Sequence, residues 1–420
     1  MDEPVVVIGA GAVGLSCAHF LRQAGLEVTV LDAGPIGGGA SWGNAGWISP
    51  SLSAPIPGPA ALRTALGSIG RPDSPLWLRP RPDPGFALWG LSFLRHCTRA
   101  SSERGLAATA LLSRDAFRYY DQLRVDGLAV EVERRGLLFI SRSRAELDLE
   151  LAELSRLAGT GIVTEIERLT GDECRARQPV IGPAVAGGIH VATEGHLDPR
   201  RLTEALAGLI TSRGGLISTG APVRDFVVRG GRVAAVVAGQ EGEEIACGNV
   251  VIAAGALSVP VTRMLGPRLP MTAGKGYSVS VGCPQLPRAP MYLVETRVGA
   301  TPMAGRLRLA GTIEFSGLNS RLDPRRIASL GHAARAYFPG LDWDDVTEEW
   351  TGMRPLCPDG LPVLDRVPGL ANAYLATGHS TLGITLAAVT GAHLAQFVRT
   401  GTRPAELAPF RFPSYAGRPR

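Results

Sequence analysis

Val5-Val6-Val7-Ile8-Gly9-Ala10-Gly11-Ala12-Val13-Gly14 decides the fold of this chain. Four apolar, mostly β-branched residues read as a buried strand, and a helical pattern over 15–24 follows, stopped by Gly25. The turn between them is Gly-x-Gly-x-x-Gly, the dinucleotide-binding fingerprint in its proper strand–turn–helix setting. Gly9 permits the tight turn, Gly11 lets backbone amides approach a pyrophosphate, and Gly14 lets the helix pack closely on the strand. The helix N-terminus then faces the negative charge. Val28-Thr29-Val30-Leu31-Asp32 makes the next strand, with Asp32 lying 18 residues after Gly14, the spacing of a carboxylate that binds ribose hydroxyls.

The 420 residues are 45% hydrophobic and 19% charged, enough for a large core and more than one domain. No apolar run reaches the roughly 20 residues that span a bilayer. With the fingerprint so near Met1, no leader is expected, and the expected location is the cytoplasm or, peripherally, the inner face of the membrane. The net charge of +5 does not imply nucleic acid, because the basic residues are scattered, often beside Asp or Glu. All but one of them are arginine; Lys275 is the single lysine. The six cysteines and seven histidines are dispersed, so the cysteines are expected to be reduced and no metal site is expected.

A glycine-rich stretch, 37–46, leaves the opening βαβ unit, and 50–84 is rich in Pro and Gly. Residues 86–97 form an apolar helix candidate. It has no polar face, which favours burial over a seat on a membrane surface. Helices are expected near 113–125 and 144–157, with short strands within 130–141. Asp198-Pro199 starts another helix, capped by the Asp. Asn249-Val250-Val251-Ile252 suits a parallel sheet covered on both faces, and 270–315 alternates like antiparallel strands. A strand near 374–379 and a helix over 383–398 close the pattern. The nucleotide fold is thus expected to be assembled from separated stretches with another domain inserted, and that interleaving points to a flavin.

Several further motifs, spread over nearly the whole chain, resemble the D-amino-acid dehydrogenase branch of the glycine oxidase/D-amino-acid oxidase flavoprotein superfamily. They are Ser41 with Asn44-Ala45-Gly46, Gly195-His196-Leu197-Asp198-Pro199, and Val250 to Ser258. Ala273-Gly274-Lys275-Gly276-Tyr277-Ser278 and Arg308-Leu309-Ala310-Gly311-Thr312-Ile313-Glu314 belong with them. The most specific are Gly352-Met353-Arg354-Pro355-Leu356-Cys357-Pro358-Asp359-Gly360 and Gly378-His379-Ser380-Thr381-Leu382-Gly383-Ile384-Thr385. The resemblance implies an α/β plus α+β protein, with a Rossmann-like FAD-binding domain (GR2-type) from 1–50, 196–260 and 350–400. An antiparallel-sheet substrate domain from 51–195 and 261–349 is inserted, and 401–420 forms a C-terminal tail. FAD is expected to be noncovalent, since Cys357 does not match the position of the cysteine that carries flavin in some relatives. Asp32 stands in place of a commoner glutamate. Thr381 replaces an additional arginine of the glycine/sarcosine-type oxidases.

The expected FAD contacts are Gly9, Gly11, Ala12, Val13 and Gly14; Asp32 and Ala33; Ala40, Ser41, Asn44, Ala45 and Gly46; Val223, Ala254 and Gly255; Arg354; and Leu382, Gly383, Ile384 and Thr385. The helix that starts near Gly383 is suited to the flavin end that becomes anionic on reduction. Arg354 is expected to clamp a substrate carboxylate with a guanidinium fork; the plainer alternative is a structural arginine beside Asp359 or Glu349. Tyr277 and Tyr292 are candidates for the pocket wall or for core packing. His379 is either flavin-proximal or a packing residue of a turn, and Lys275 either places charge near the flavin or is solvated.

The implied activity is FAD-dependent oxidation of a small D-amino acid or cyclic imino acid (such as D-proline or hydroxyproline), by hydride transfer from Cα to flavin N5. Oxidation of glycine, sarcosine or another N-substituted amino acid is the alternative, followed by a non-catalytic flavin redox protein. The electron acceptor is left open between oxygen, a quinone and a soluble carrier.

Overall fold

The computed structural model describes residues 4–59, 61, 67, 74–79, 82–162 and 165–413. Its first layer is a six-stranded sheet in the order Val363–Arg366, Ala373–Thr377, Asn249–Ile252, Val5–Ile8, Val28–Leu31, Leu216–Ser218. All pairings are parallel except the first. The all-apolar first strand is explained by two covered faces: Val5 and Val7 pack into a helical layer, whereas Val6 and Ile8 pack under an antiparallel meander, Val223–Ala246. The helical layer consists of Ala12–Gln23, Pro199–Ser212 and Gly383–Thr400. Asp198 caps the second of these, its Oδ1 accepting the Arg200 amide at 2.9 Å.

The second layer is a nine-stranded sheet, in the order Asp342–Leu356, Thr272–Gly282, Arg306–Phe315, Val298–Met303, Met291–Leu293, Leu137–Ser141, Gly187–Val191, Ile166–Thr170, with Leu76–Leu78 joined beside Arg306–Phe315. It is mixed rather than purely antiparallel: Met291–Leu293 runs parallel to Leu137–Ser141, and Leu76–Leu78 parallel to Ile313–Phe315. Helix Pro324–Arg335 closes its core, with Tyr337 and Phe338 fully buried beside it.

Several expectations change at this level. Residues 350–356 continue the long strand Asp342–Leu356, paired to Thr272–Gly282 from Leu356 back to Asp342, so Arg354 rides on the nine-stranded sheet. Helices Arg99–Ser113 and Ala116–Val125 lie within 51–195, yet Ala108, Leu112, Tyr120 and Leu123 join the core under the six-stranded sheet. Helix Pro84–His96 buries only Trp89; its Leu88, Leu91 and Leu94 are 67%, 56% and 53% exposed. The C-terminal tail is docked as far as Pro413: Phe410 is buried, and the Phe412 amide bonds Asp365 Oδ2 at 2.8 Å. Residues 414–420 lie outside the described residues, as does most of 60–73. Among the described residues no helix is long and apolar enough to cross a membrane.

The helical layer closes at one crossing. A Cβ on Gly391 would lie 2.6 Å from the Ser16 carbonyl carbon and 2.9 Å from the Cys17 amide, both backbone. Alanine at a helix interior gains about 1 kcal/mol in propensity, but overpacking against backbone costs about 1–3 kcal/mol. With both backbone contacts under 3.0 Å the overpacking falls in the upper part of that range, about 2–3 kcal/mol, so Gly391→Ala is expected to lower unfolding free energy by about 1–2 kcal/mol, the difference of the two effects. Urea titration followed by circular dichroism checks this, and an unchanged or raised midpoint contradicts it.

Candidate active site

Between the two sheets runs one continuous cavity of about 1560 Å³. Single-ligand pockets usually hold at most about 1,000 Å³, so it has room for a dinucleotide and a small substrate together. At one end the fingerprint turn forms as its residue types require. Gly9 has φ +114°, and Gly14 is so close to it that a Cβ there would meet the Gly9 carbonyl oxygen at 1.9 Å. Gly9, Gly11, Ala12 and Val13 line the cavity; Gly14 does not, being spent on helix–strand packing.

Asp32 and Ala33 also line this end. The Asp32 carboxylate accepts the Ala10 amide at 2.7 Å and the Gly34 amide at 2.8 Å. A carboxylate has about four acceptor sites, so it keeps capacity for a ribose diol. Ser41 Oγ accepts the Ala12 amide at 3.1 Å. Ala40, Asn44, Ala45, Val223, Ala254 and Gly255 complete the wall. Gly46 stands behind it, at φ +76°, where a Cβ would lie 2.0 Å from the Leu197 carbonyl oxygen.

A second helix N-terminus enters further along. Leu382 to Thr385 all line the cavity at the start of Gly383–Thr400, and that end has no side-chain cap. Thr385 Oγ1 is already engaged with the Trp47 carbonyl and the Ser49 amide, each at 3.1 Å. Two helix N-termini on one cavity make it suited to an anionic dinucleotide, and the residues present fit FAD.

Arg354 also lines the cavity. Nη1 donates to the Thr312 carbonyl at 2.7 Å, and the guanidinium lies across Gly276, where a Cβ would meet Nη1 at 2.1 Å. Thr312 holds its carbonyl there from a left-handed conformation, φ +60°. Among the described residues no carboxylate lies within ion-pair distance of Arg354. Glu349 is exposed, and Asp359 turns back to the Leu361 amide at 3.0 Å. Burial lowers the Arg354 pKa to about 10, which still leaves it charged at neutral pH. The structural-arginine alternative thus lacks its partner, and the cation faces an open cavity.

His379, Tyr292, Trp47 and Trp350 line the same cavity. His379 is buried, its Nε2 3.1 Å from Thr390 Oγ1, and burial pushes its pKa down to about 4. It is neutral at neutral pH. Tyr292 makes edge contacts with Trp47 and Phe139, at 6.0 and 5.5 Å between ring centroids. Tyr277 is placed elsewhere: it is fully buried in the core under helix Pro324–Arg335, its hydroxyl on Glu314 Oε2 at 2.6 Å. Lys275 is not solvated either; it pairs with Glu314 at 3.3 Å.

Sequence reasoning missed Thr312 as the seat of Arg354, although it sits inside a quoted motif. It also missed Glu194, which is fully buried and accepts the Ser51 amide at 3.0 Å through Oε1, with the Ser49 and Ser51 hydroxyls beside its carboxyl. Ser49 and Ser51 line the cavity. Burial raises the Glu194 pKa from 4.5 to about 8. The folded state therefore keeps a proton that the unfolded chain releases between those values, and stability falls as pH rises through that window. The limiting slope is about 1.4 kcal/mol per pH unit. Glu194→Gln is expected to flatten this loss when urea unfolding is compared at pH 5, 6, 7 and 8; a slope identical to the wild type would refute the assignment.

The family profile for FAD dependent oxidoreductases matches residues 4–397. A D-amino acid dehydrogenase of Paramagnetospirillum magneticum is 36% identical over 405 residues, 94% of each chain. One from Cereibacter sphaeroides is 35% identical over 394 residues, 91% of this chain and 89% of its own. Among solved structures, glycine oxidase from Geobacillus kaustophilus superposes with a TM-score of 0.74 at 23% identity, covering 99% of this chain and 100% of that one. L-Proline dehydrogenase from P. horikoshii also gives 0.74, at 17% identity, covering 98% and 96%. With the fingerprint turn, two helix N-termini and a chamber for a second ligand in one cavity, the chain belongs to the FAD-dependent oxidoreductases of the DAO family.

Proposed function

We propose that this chain oxidises a small D-amino acid or cyclic imino acid at Cα, with the substrate carboxylate held by Arg354. The observation that carries the reading is a half-buried guanidinium, free of any carboxylate partner among the described residues, in the wall of an FAD-sized cavity. A planar fork matches a planar carboxylate with two hydrogen bonds. The two relatives named D-amino acid dehydrogenase support the choice of stereochemistry. FAD, when bound, supplies the hydride acceptor.

The residues of the chain do the rest by placement. Arg354, seated by Thr312 and Gly276, fixes one end of the substrate. The aromatic wall of Trp47 and Tyr292 excludes water. Neutral His379 is a wall rather than a base, so the substrate reacts with its own amine neutral, and alignment supplies the rate. The amides of Leu382 and Gly383 are placed for the flavin end that gains negative charge.

The acceptor of the electrons is proposed to be a quinone at a membrane surface. Helix Pro84–His96 turns Phe86, Trp89 and Phe93 to the cavity and leaves Leu88 and Leu91 exposed, with Arg95 in its last turn. An apolar face edged by a cation suits an anionic lipid interface.

Anaerobic titration with D-alanine and D-proline, read by the flavin absorbance, tests the main reading. Bleaching by glycine or N-methyl amino acids alone would favour the N-substituted alternative, and no bleaching would sink both. Arg354→Ala removes a charge-assisted pair of bonds worth roughly 3 kcal/mol. It should raise the dissociation constant by at least about a hundredfold with flavin retained; unchanged affinity overturns the clamp. Leu88→Ser with Leu91→Ser should abolish co-sedimentation with phosphatidylglycerol vesicles while leaving D-alanine bleaching intact, and retained sedimentation would exclude this face.

A further inference from the structure

In a chain whose other basic residues are all arginine, the single lysine is 2% exposed and lies inside the nine-stranded sheet. Lys275 is the neighbour of Gly274, the residue paired across the ladder with Arg354. Its ammonium has three donors and the same number of partners: Glu314 Oε1 at 3.3 Å, Asn319 Oδ1 at 3.0 Å and the Arg321 carbonyl at 2.8 Å. Glu314 in turn takes the Tyr277 hydroxyl. Burial alone would raise the Glu314 pKa, but bonds from Ser316 and Tyr277 and the charge of Lys275 hold it below the usual carboxylate range.

Asn319 is the hub of the loop 316–323. Its Nδ2 donates to the Ser316 carbonyl at 3.1 Å and the Gly317 carbonyl at 3.3 Å, while Oδ1 also accepts the Arg321 amide at 3.2 Å. Asn319 and Ser320 line the cavity. The loop follows directly on the strand Arg306–Phe315 that supplies the Thr312 carbonyl to Arg354. One buried ammonium therefore ties this stretch of cavity wall to the strand pair carrying the Arg354 seat. A compact tetrahedral donor meets three acceptors on two sides of a closed site. A guanidinium is larger and planar, with five donors to satisfy, which is why the arginine bias of the chain breaks here.

We propose that Lys275 is a positioning residue: through Glu314, Asn319 and the Arg321 carbonyl it holds loop 316–323 in place as the wall of the substrate chamber, so that substrate binds to a preorganised site. The inference rests on the reading of that chamber as an amino-acid site. It assigns Lys275 no contact with substrate or flavin. Ordering a wall in advance spares its entropy on binding, so loosening it should weaken affinity before it slows the chemical step.

Lys275→Met alone leaves Glu314 buried without its cation and risks misfolding. The test is therefore the double variant Lys275→Met/Glu314→Gln, which removes both charges and keeps an acceptor for Tyr277. Purified with FAD bound, it should show amide hydrogen exchange in 316–323 faster by at least about tenfold, since that exchange reports local opening. The dissociation constant for D-alanine from anaerobic bleaching should rise about tenfold, with the limiting bleaching rate within about twofold of wild type. Wild-type protection of the loop, or wild-type affinity in a variant whose loop exchanges faster, overturns the proposal. If D-alanine does not bleach the wild type, the amino-acid reading fails by itself; loop exchange in the double variant then decides whether Lys275 holds the wall.

Discussion

A half-buried guanidinium with no carboxylate partner among the described residues is the constraint around which the site is organised. Removing a cation from water costs several kcal/mol unless something compensates it, and among the described residues Arg354 has a hydrogen bond only to the Thr312 carbonyl. The remaining compensation is left to whatever enters the cavity. Both helix N-termini add positive potential to the same space. The result is a cavity that favours anions beside the two helix N-termini and beside Arg354.

Keeping these points in fixed relation requires the two sheets to be joined rigidly. The strand Asp342–Leu356 delivers Arg354 and ends in a bridge between Leu356 and His379. The Ser380 amide adds a bond to the Pro355 carbonyl at 3.0 Å, and four residues after His379 the helix Gly383–Thr400 begins. The helix N-terminus and the guanidinium are thus set by one short piece of backbone. A second tie lies by the flavin loop, where buried Arg308 donates to the Asn44 carbonyl at 3.2 Å and to Glu348 at 3.1 Å. Arg200 holds Glu348 from the other side and stacks over Trp42, 3.9 Å from the ring centre. A glycine-rich loop, otherwise costly to order, is fixed by side chains from both layers.

The legible parts of the sequence were those where one local rule decides the outcome. The fingerprint turn follows from strand, glycines and helix in immediate succession, and Asp198-Pro199 from capping chemistry. The site needed register as well. Tyr277 reads as either pocket wall or core packing, yet small residues occupy 274, 276, 278, 280 and 282 while Lys275, Tyr277, Val279 and Val281 alternate with them. A two-residue period puts Tyr277, Val279 and Val281 in the core and leaves Gly276 under the guanidinium. Helix Pro84–His96 reads as buried because it lacks a polar face, but that lack does not supply a partner for every apolar residue. The boundary at 350 failed for a different reason: a motif was taken as a unit, whereas a strand is a unit of hydrogen bonding and ran through it.

Charge placement around Arg354 depends on which side chains burial neutralises and which ones the strands turn away. His379 is kept neutral by burial, and Glu194, behind Ser49 and Ser51, is kept protonated by burial. The one carboxylate of the neighbouring strand, Glu314, is turned to the far face and matched by Lys275. Among the described residues none of these groups pairs with Arg354, although Asp32, Glu146, Glu150 and Glu153 line the same cavity, Glu150 with its pKa raised by burial. The arrangement depends on the alternation of the strand Thr272–Gly282: exchanging its two faces would bring a paired ammonium and a phenol into the chamber and leave glycines in the core. The small-large pattern of that strand therefore specifies the electrostatics of the site as much as its shape.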